Sequence, residues 1–401
     1  MNIVCLASYF KGNEFLREAK RQGCRVHLVT REKALHEDWA RDSLDDLIAV
    51  PNDSNPDFYI HAVSELGRQR KLDRVVALEE FDVTTAALVR EHLCLPGMSA
   101  ATARLFRDKL AMRVRAQAAG IRVPEFVHAL NYEDVGQYLN RVPPPWVLKP
   151  RSDVSAVGIQ KLHGAEEVWR AIEILDARVR LRERPSYYVL ERFVAGDVYH
   201  VDSIIENGKV VFAGANKYGR PPMDVAHQGG IFLSHTIEHG SAEQRELLTL
   251  NRKLIRSLGL TRGATHAEFI KGMSDGRFYF LEVAARVGGA YIAEVLEAST
   301  GLNLWREWAK LEIAGGERAY RAEPAHKEYG GIALSLARQE YPDTSAYTDP
   351  EIFYRVNKQH HVGLVVRSPQ LERIHELLDQ YASRFAQDFS AIIPPRERIE
   401  E

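Results

Sequence analysis

The chain has 401 residues, of which 45% are hydrophobic and 27% charged. This length suits two or three packed lobes, and the composition is that of an ordinary globular protein. The formal charge of −2 gives no overall field that would attract nucleic acid or an anionic membrane, so any phosphate must be bound by a local site.

The cysteines Cys5, Cys24 and Cys94 are scattered and have no CxxC spacing. This pattern argues against a structural zinc site and favours a reducing compartment. The first residues resemble a strand and lack the basic and apolar regions of a signal peptide. No apolar run approaches the roughly 20 residues that cross a bilayer. We therefore expect a cytoplasmic protein that binds neither nucleic acid nor membranes.

The first hundred residues alternate between strand and helix patterns, which indicates a parallel sheet with helices on its faces. The predicted strands cover 3–7, 25–30, 46–50 and 75–78, and the predicted helices cover 14–21, 58–70 and 84–92. A dinucleotide site would need GxGxxG after the first strand, but the sequence there is Ala-Ser-Tyr-Phe-Lys-Gly. The alternation of strands and helices therefore predicts a Rossmann-like lobe on the substrate side. The missing GxGxxG motif disfavours a dinucleotide-dependent oxidoreductase.

The pattern changes after this lobe. A long helix is predicted over 104–119, ending at Gly120. A hairpin is predicted through Asn207-Gly208, and residues 215–235, rich in Gly, Pro, His and Lys, are predicted to form a long functional loop. Other predicted strands cover 146–149, 187–193, 265–271, 277–283, 331–337 and 361–367, and other predicted helices cover 166–180, 243–258, 291–299, 304–314 and 370–385.

Lys149 ends the apolar strand Trp-Val-Leu-Lys and leads into a loop of small residues with Ser152, Ser155 and Gly158. Small residues let backbone N–H groups approach phosphate oxygens, while the lysine supplies a positive charge. A Walker A motif is absent. An ordinary surface turn would also explain the loop, but an unpaired lysine at the inner end of an apolar strand is costly to bury.

Two weaker candidates flank this loop. Asp108-Lys109 lies on a predicted helix, where a lysine is usually solvated. The segment Glu191-Arg-Phe193-Val194-Ala-Gly-Asp197 runs from a strand into a linker and offers an acidic side chain and backbone groups to an adenine edge. An ordinary edge strand explains this segment equally well.

The strongest signal comes from Glu268 and Glu282, which interrupt two apolar strands joined by a predicted hairpin. Two like charges on neighbouring strands are destabilising unless a positive charge lies between them. Oxygen ligands and nucleotide phosphates suit Mg²⁺. Arg286 follows closely and could contact a transferring phosphoryl group, while Gly288 and Gly289 would let the backbone approach an acyl phosphate.

Taken in order, these elements resemble the ATP-grasp superfamily over about residues 100–310, and most closely its amino-acid ligase-like branch. The resemblance implies an α/β ATP-grasp fold with a Rossmann-like parallel-sheet lobe (1–100), an ATP-grasp domain (101–315) and a small C-terminal α+β lobe (316–401). The halves 101–190 and 191–315 would enclose ATP.

The resemblance also implies the roles of individual residues. Lys109 and Lys149 would contact the ATP phosphates, and Glu268 and Glu282 would hold magnesium, with manganese as an alternative. The residues implied to cover the phosphates or grip the nucleoside are Ser152, Ser155, Gly158, Glu191, Phe193, Val194 and Asp197.

Two positions depart from the family pattern. Many members have Asn where this chain has Ala284, which leaves open whether one or two magnesium ions bind. The acidic residue that often contacts ribose has two candidates here, Asp197 and Asp202, and the spacing does not decide between them.

The implied reaction transfers a phosphoryl group from ATP to a small-molecule carboxylate, after which a small-molecule amine attacks the acyl phosphate. Lys149 and Arg286 would neutralise the developing charge as catalytic residues. His227 or His266 could accept the amine's proton. The predicted substrate-binding residues are Lys217, Arg220, His227, His266, Arg286, Gly288 and Gly289.

Alternative functions stay open at this point. One is a carboxylase that phosphorylates bicarbonate, and another is a non-catalytic ATP-binding regulatory module, suggested by Ala284. The sequence does not identify the substrates or the pathway. The oligomeric state is equally open, with a homodimer as one option.

Overall fold

Three β-sheets organise the chain in the computed structural model, which describes residues 1–153, 157–180, 182, 184–314 and 320–391. The side chains of residues 226–228 lie outside this description. The predicted mixed α/β architecture is confirmed: one sheet is parallel and two are antiparallel. The predicted domain boundaries at 100, 190 and 315 stay predictions.

The parallel sheet has the strand order β3-β2-β1-β4. Its central strands are buried apolar runs, as expected of a sheet covered on both faces. The strands are β1 (Asn2–Ala7), β2 (Arg25–Arg31), β3 (Asp46–Val50) and β4 (Arg74–Ala77). The helices of this region are α1 (Asn13–Arg21), α2 (Pro56–Gln69), α3 (Asp82–His92), α4 (Ala100–Arg104) and α5 (Lys109–Ala118).

A four-stranded antiparallel sheet follows, in the order β5-β8-β6-β7. Its apolar side chains pack against the buried faces of two helices to form a separate small core. The strands are β5 (Phe126–His128), β6 (Trp146–Pro150), β7 (Gln160–Leu162) and β8 (Tyr188–Arg192), and the helices are α6 (Tyr132–Arg141) and α7 (Ala165–Asp176).

The largest sheet is antiparallel, with the order β13-β12-β9-β10-β11-β14-β16-β15. The predicted hairpin at Asn207-Gly208 is present, and both residues have positive φ angles, 50° and 72°. The strands are β9 (Gly196–Glu206), β10 (Lys209–Tyr218), β11 (Phe232–Thr236), β12 (Arg262–Gly272), β13 (Phe278–Ala284), β14 (Tyr329–Leu336), β15 (Ile352–Arg355) and β16 (His361–Ser368). The helices are α8 (Pro222–Gln228), α9 (Ala242–Leu258), α10 (Ile292–Thr300), α11 (Leu304–Ile313) and α12 (Leu371–Asp388).

Within the described part of the chain, no helix combines the length and apolar character needed to cross a bilayer. Cys5 and Cys24 are buried, while Cys94 is exposed.

The prediction of a single helix over 104–119 is wrong at its start. Two helices occupy this stretch, because Asp108 has extended backbone angles and caps α5. Its Oδ1 accepts hydrogen bonds from the backbone N–H groups of Leu110 at 3.1 Å and Ala111 at 3.3 Å. The predicted end is correct, since Gly120 follows the helix with a φ of 67°.

The long loop predicted over 215–235 is also wrong. β10 continues to Tyr218, α8 follows, and β11 begins at Phe232. Asn216 pairs with β9 on one side and β11 on the other, so this polar stretch is the interior of a sheet. Its polar side chains hide the strand period because one face of the sheet covers a buried polar cluster.

We expect Asp108→Ala to lower the free energy of unfolding by about 2–4 kcal/mol, because Asp108 both caps α5 and accepts a hydrogen bond from Arg151 Nε at 3.0 Å. Asp108→Asn keeps the capping oxygen and should lose about half as much. Urea unfolding followed by circular dichroism measures both variants. Equal losses in the two variants would assign the effect to the ion pair alone and would remove the capping contribution.

Candidate functional site

Glu268 and Glu282 lie opposite each other in the register of β12 and β13. Each carboxylate has its own compensating contact. Glu282 Oε2 lies 2.9 Å from Lys109 Nζ, and Glu268 Oε1 accepts a hydrogen bond from Tyr218 O–H at 2.7 Å. His266 Nε2 lies 3.4 Å from the same oxygen of Glu268. The like charges are therefore tolerated because a lysine, a tyrosine and a histidine surround them.

This pair of carboxylates fits a divalent cation. Burial would raise the pKa of Glu268, but contact with His266 and Tyr218 lowers it below its usual value, so the group is ionised at neutral pH. The side chain of Glu282 is 38% exposed and opens to solvent. Magnesium commonly takes one or two carboxylates and completes its shell with phosphates and water. Ala284 is buried and offers no further ligand atom.

The two predicted lysines are both buried. Lys109 Nζ donates to the backbone oxygen of Asp153 at 2.6 Å, which ties α5 to the loop after β6. Lys149 Nζ lies 2.6 Å from Glu191 Oε2. Burial lowers the pKa of Lys149 to about 8; the Glu191 carboxylate opposes this shift and the nearby Arg113 adds to it.

Glu191, predicted to contact adenine, is buried between two cations. Arg113 is fully buried; its Nε lies 2.8 Å from Glu191 Oε1, and its Nη2 donates to Oε2 at 3.2 Å. Glu191 therefore holds Lys149 in place, and Phe193 and Val194 follow it where the chain leaves β8. The sequence reasoning missed Arg113. Its signal was the i,i+4 spacing from Lys109, which puts both cations on one face of α5.

Arg286 is held by a glutamate from the parallel-sheet region. Its Nη2 donates to Glu80 Oε2 at 2.7 Å, and Arg107 Nη1 donates to Glu80 Oε1 at 2.7 Å. Burial alone would raise the pKa of Glu80, but Arg286 and Arg107 hold it at about 2. Arg107 also donates to the backbone oxygen of Ser152 at 2.6 Å. Sequence reasoning missed Glu80 and Arg107, and no local pattern marks them.

A buried polar cluster adjoins Glu268 on the same face of the sheet. His200 Nδ1 and His266 Nδ1 lie 2.6 Å and 2.8 Å from the two oxygens of Asp202, and the potential ligand atoms of the three residues lie within 4.8 Å of one another. Although burial would lower it, Asp202 and Glu268 raise the pKa of His266 to about 10. His266 is therefore an imidazolium at neutral pH, which argues against its predicted role as a proton acceptor.

Gly288 packs directly against this cluster. A Cβ atom at this position would lie 2.8 Å from Asp202 Oδ1 and 3.0 Å from His266 Nδ1, so the close approach requires glycine. The neighbouring Gly289 faces open space, since a Cβ atom there would have no atom of the described residues within 4 Å. The backbone of residues 286–289 thus lies at the edge of the buried polar cluster that adjoins Glu268.

Other predicted residues are not brought into this cluster. Lys217 Nζ lies 2.7 Å from Asp197 Oδ2, and because neighbouring residues of β10 point to opposite faces, Lys217 is on the face away from Tyr218. Arg220 precedes α8 and lies near Gly230. Gly158 has a φ of 69° in the loop before β7. Ser155 and the side chain of His227 lie outside the described residues.

Two family models match the chain: the ATP-grasp N-terminal domain over residues 16–97 and the ATP-grasp domain over residues 142–294. Together they take in more than half of its length. The chain belongs to the ATP-grasp superfamily. The family resemblance and the ATP-grasp fold predicted from the ordered lysines and glutamates are thereby confirmed.

Two relatives of this ATP-grasp protein are about a quarter identical to it over the aligned residues. It is 23% identical over 243 residues to an L-arginine-specific L-amino acid ligase of Bacillus subtilis, covering 60% of this chain and 58% of that protein. It is 24% identical over 303 residues to an uncharacterized protein of Sinorhizobium fredii, covering 75% of this chain and 61% of the relative. The chain thus spans about three fifths of the length of these curated relatives.

Solved structures of a ligase and a synthetase share the fold along nearly the whole chain. An L-amino acid ligase from Bacillus licheniformis superimposes with a TM-score of 0.73 at 17% identity, covering 98% of both chains. An N5-carboxyaminoimidazole synthetase from Staphylococcus aureus, complexed with ADP, superimposes with a TM-score of 0.72 at 15% identity, covering 95% of this chain and 96% of that chain.

The ATP affinity of this protein should depend on pH through Lys149. Above its pKa of about 8 the free protein loses this charge, whereas bound phosphates favour the charged form, so binding takes up a proton. We expect the Kd for ATP to be nearly flat below about pH 7 and to approach a tenfold rise per pH unit well above pH 8. Calorimetric titration across this range measures the effect.

Lys149→Arg is the matched control, because its guanidinium stays charged throughout. Its Kd for ATP should not change over the same pH range. An equal rise in the arginine variant would show that another group is responsible.

Proposed function

We propose that this ATP-grasp protein uses ATP to activate a carboxylate as an acyl phosphate and couples the acyl group to an amine, releasing ADP and phosphate. The observation that carries the proposal is the facing pair Glu268 and Glu282, with Lys109 on one side and the Gly288 segment on the other. This arrangement supports binding of the ATP phosphates beside the two glutamates and of a polar substrate beside the Gly288 segment.

Nucleotide binding would draw on the buried cations. Lys109 and Lys149 are held in fixed positions by Glu282 and Glu191, so little side-chain entropy is lost when phosphates replace or join these contacts. Glu268 and Glu282 would hold magnesium, which supplies charge neutralisation at the phosphates when bound. Because Ala284 offers no ligand atom, Glu268 and Glu282 are the two protein carboxylates that would hold the metal.

The chemical steps follow from the charges around the Gly288 segment. A carboxylate oxygen of the substrate forms a bond to the γ-phosphorus of ATP as the bond to ADP breaks. The amine nitrogen then attacks the carbonyl carbon, and phosphate leaves with the proton of the amine. With raised pKa values, His266 and Arg286 would stabilise negative charge rather than accept a proton.

The relatives favour an amine as the acceptor. Both the Bacillus subtilis relative and the Bacillus licheniformis structure are named L-amino acid ligases. One amino acid would supply the carboxylate, and a second amino acid would supply the amine. We therefore propose amino acids as the substrates, with a dipeptide as the product.

The test is ATP turnover with magnesium and pairs of amino acids, measured as ADP release and as a new dipeptide mass. Glu282→Gln and Glu268→Gln should lower turnover by at least about 100-fold, since each removes a carboxylate from the proposed metal pair. Glu246→Gln, which changes an exposed glutamate on α9, is the matched control and should keep full activity. ATP binding without turnover for any acceptor would contradict the ligase proposal.

A carboxylase is the second candidate, because a solved structure that contains bicarbonate superimposes on this chain with a TM-score similar to that of the L-amino acid ligase. A biotin carboxylase domain from Hydrogenobacter thermophilus, in complex with MgADP and bicarbonate, superimposes with a TM-score of 0.72 at 16% identity. ADP release that requires bicarbonate and no amino acid would establish the carboxylase in place of the ligase.

Gly288→Ala should selectively impair the use of the carboxylate substrate, the acyl donor. The added methyl group would displace Asp202 or His266, so we expect kcat/KM for the acyl donor to fall about tenfold or more while the Kd for ATP stays within about twofold. Gly289→Ala adds the same methyl group into open space and should be nearly silent. Equal effects of the two substitutions would show that contact with the cluster is unimportant.

A further inference from the structure

A cavity of about 240 Å³ lies between the parallel sheet and α11. β4, an edge strand of its sheet, forms one wall, and the start of β12 together with α11 forms another. Pro96, Gly97 and Thr261 belong to the lining and are exposed, so the cavity opens to solvent. One water occupies about 30 Å³ in the liquid, so this space is large enough for a small organic molecule.

The charged side chains of the lining leave it positive. The lining contains three arginines and one carboxylate, which are Arg74, Arg90, Arg262 and Glu312. The carboxylate balances one guanidinium and leaves two positive charges. Arg90 is 6% exposed and Glu312 is 9% exposed, so both charges are largely removed from bulk water. An excess of buried charge is costly and favours an occupant of the opposite sign.

Glu312 interacts with all three arginines but pairs closely with none of them. Burial raises the pKa of Glu312, and the charges of the three arginines oppose this rise. Among the described residues, no guanidinium nitrogen of these arginines lies within 4.0 Å of a carboxylate oxygen. Trp308 Nε1 donates to Glu312 Oε1 at 3.0 Å. The carboxylate therefore weakens the positive field in the cavity, but it takes up none of the contact positions on the guanidinium groups.

Two of the arginines keep hydrogen-bond donors available. Arg262 uses Nη1 for the backbone oxygens of Leu311 and Ala314. Arg74 uses Nη1 for the backbone oxygen of Asp73, at 2.9 Å. The Nε and Nη2 groups of both arginines donate to none of the residues that the structure describes. Two N–H groups on one edge of a guanidinium match the paired oxygens of a carboxylate or a phosphate.

Arg90 contributes charge without an open contact edge. Its Nη1 donates to the backbone oxygen of Val75 at 2.7 Å, and its Nε and Nη2 donate to that of Met98 at 3.1 Å and 2.8 Å. Both acceptors are neutral, so the guanidinium keeps its charge. The field of Arg90 therefore adds to the attraction of an anion that contacts Arg74 or Arg262.

The rest of the lining is largely apolar and includes Val76, Val83, Leu260 and Ala264. A ligand with two negative charges would balance the lining, and a short hydrocarbon body would cover these side chains. Inorganic phosphate would supply the charge but would leave the apolar side chains in contact with water. The distribution of charged and apolar groups thus matches an organic dianion.

We propose that this cavity binds a small organic dianion, whose oxygens accept hydrogen bonds from Arg74 and Arg262. Its lining does not include Lys109, Glu268 or Glu282, and the proposal does not rest on the ligase reaction. Water alone in the cavity is the competing explanation, and it predicts no dependence on ligand charge.

The test titrates the nucleotide-free, magnesium-free full chain with succinate at neutral pH and constant ionic strength, with tryptophan fluorescence as the signal. Trp308 lines the cavity, so the change that is lost in Trp308→Phe reports on this site. Succinamate carries one negative charge on the same carbon chain, and succinamide carries none. Each lost charge should weaken binding about tenfold or more. Inorganic phosphate should also bind more weakly than succinate, because it has no apolar body.

Arg74→Gln removes one charge and one contact edge from the cavity. The only hydrogen bond that Arg74 makes to the described residues is to the neighbouring backbone oxygen of Asp73, so the fold should tolerate the change. The Kd for succinate should rise about tenfold or more. Arg256→Gln, which changes an exposed arginine on α9 outside the lining, is the matched control and should bind succinate as the unmodified chain does.

Glu312→Gln should act in the opposite direction. It keeps the oxygen that accepts from Trp308 but removes a negative charge that repels the ligand, so the Kd for succinate should fall about tenfold. If either variant fails to fold, the analogue series on the unmodified chain decides.

Four results would overturn the proposal. These are the absence of any Trp308-dependent signal up to millimolar succinate, equal binding of succinate and succinamide, an unchanged Kd in a folded Arg74→Gln variant, and a raised Kd in a folded Glu312→Gln variant. Tighter binding of phosphate than of succinate would overturn the organic part of the assignment. Because no nucleotide is present, a failed ligase assay would leave these outcomes unaffected.

Discussion

The repulsion between Glu268 and Glu282 is the constraint on which the rest of the site depends. The two residues are paired in the register of β12 and β13, beside a bulge that follows Glu268, so their backbones stay adjacent. Like charges at this spacing are unfavourable, and the surrounding residues are arranged to offset them. Lys109 contacts one carboxylate, while His266 and Tyr218 contact the other.

The same arrangement recurs around three other buried carboxylates. Glu191 holds Lys149 and Arg113, Glu80 holds Arg286 and Arg107, and Asp202 lies between His200 and His266. Buried ion pairs contribute little net stability, because desolvation offsets the attraction. Their consistent effect here is positional: each buried anion fixes two cationic or imidazole groups at the site.

Sequence reasoning identified the residues whose signal is local. Lys149, Glu268 and Glu282 each interrupt an apolar strand, and a polar side chain in such a run is visible without a structure. Their roles as ATP and metal ligands stay predictions. The alternating pattern also predicted the parallel sheet correctly, since each strand and helix carries its own period.

The residues that were missed depend on distant partners. Glu80 and Arg286 are separated by 206 positions, and Arg113 and Glu191 by 78, so no short pattern links them. The polar stretch around Asn216 was assigned to a loop because strand prediction assumes an apolar buried face. Here that face covers a polar cluster, and the usual alternation is lost.

The separation of the two antiparallel sheets has a consequence for nucleotide binding. The four-stranded sheet carries Lys149 and Glu191, the eight-stranded sheet carries Glu268 and Glu282, and the chain passes between them through residues 193–195. A nucleotide contacting both sets of residues would add a bridge between the two sheets. Without a nucleotide, α5 already makes such a bridge, because its Arg113 pairs with Glu191 and its Lys109 pairs with Glu282.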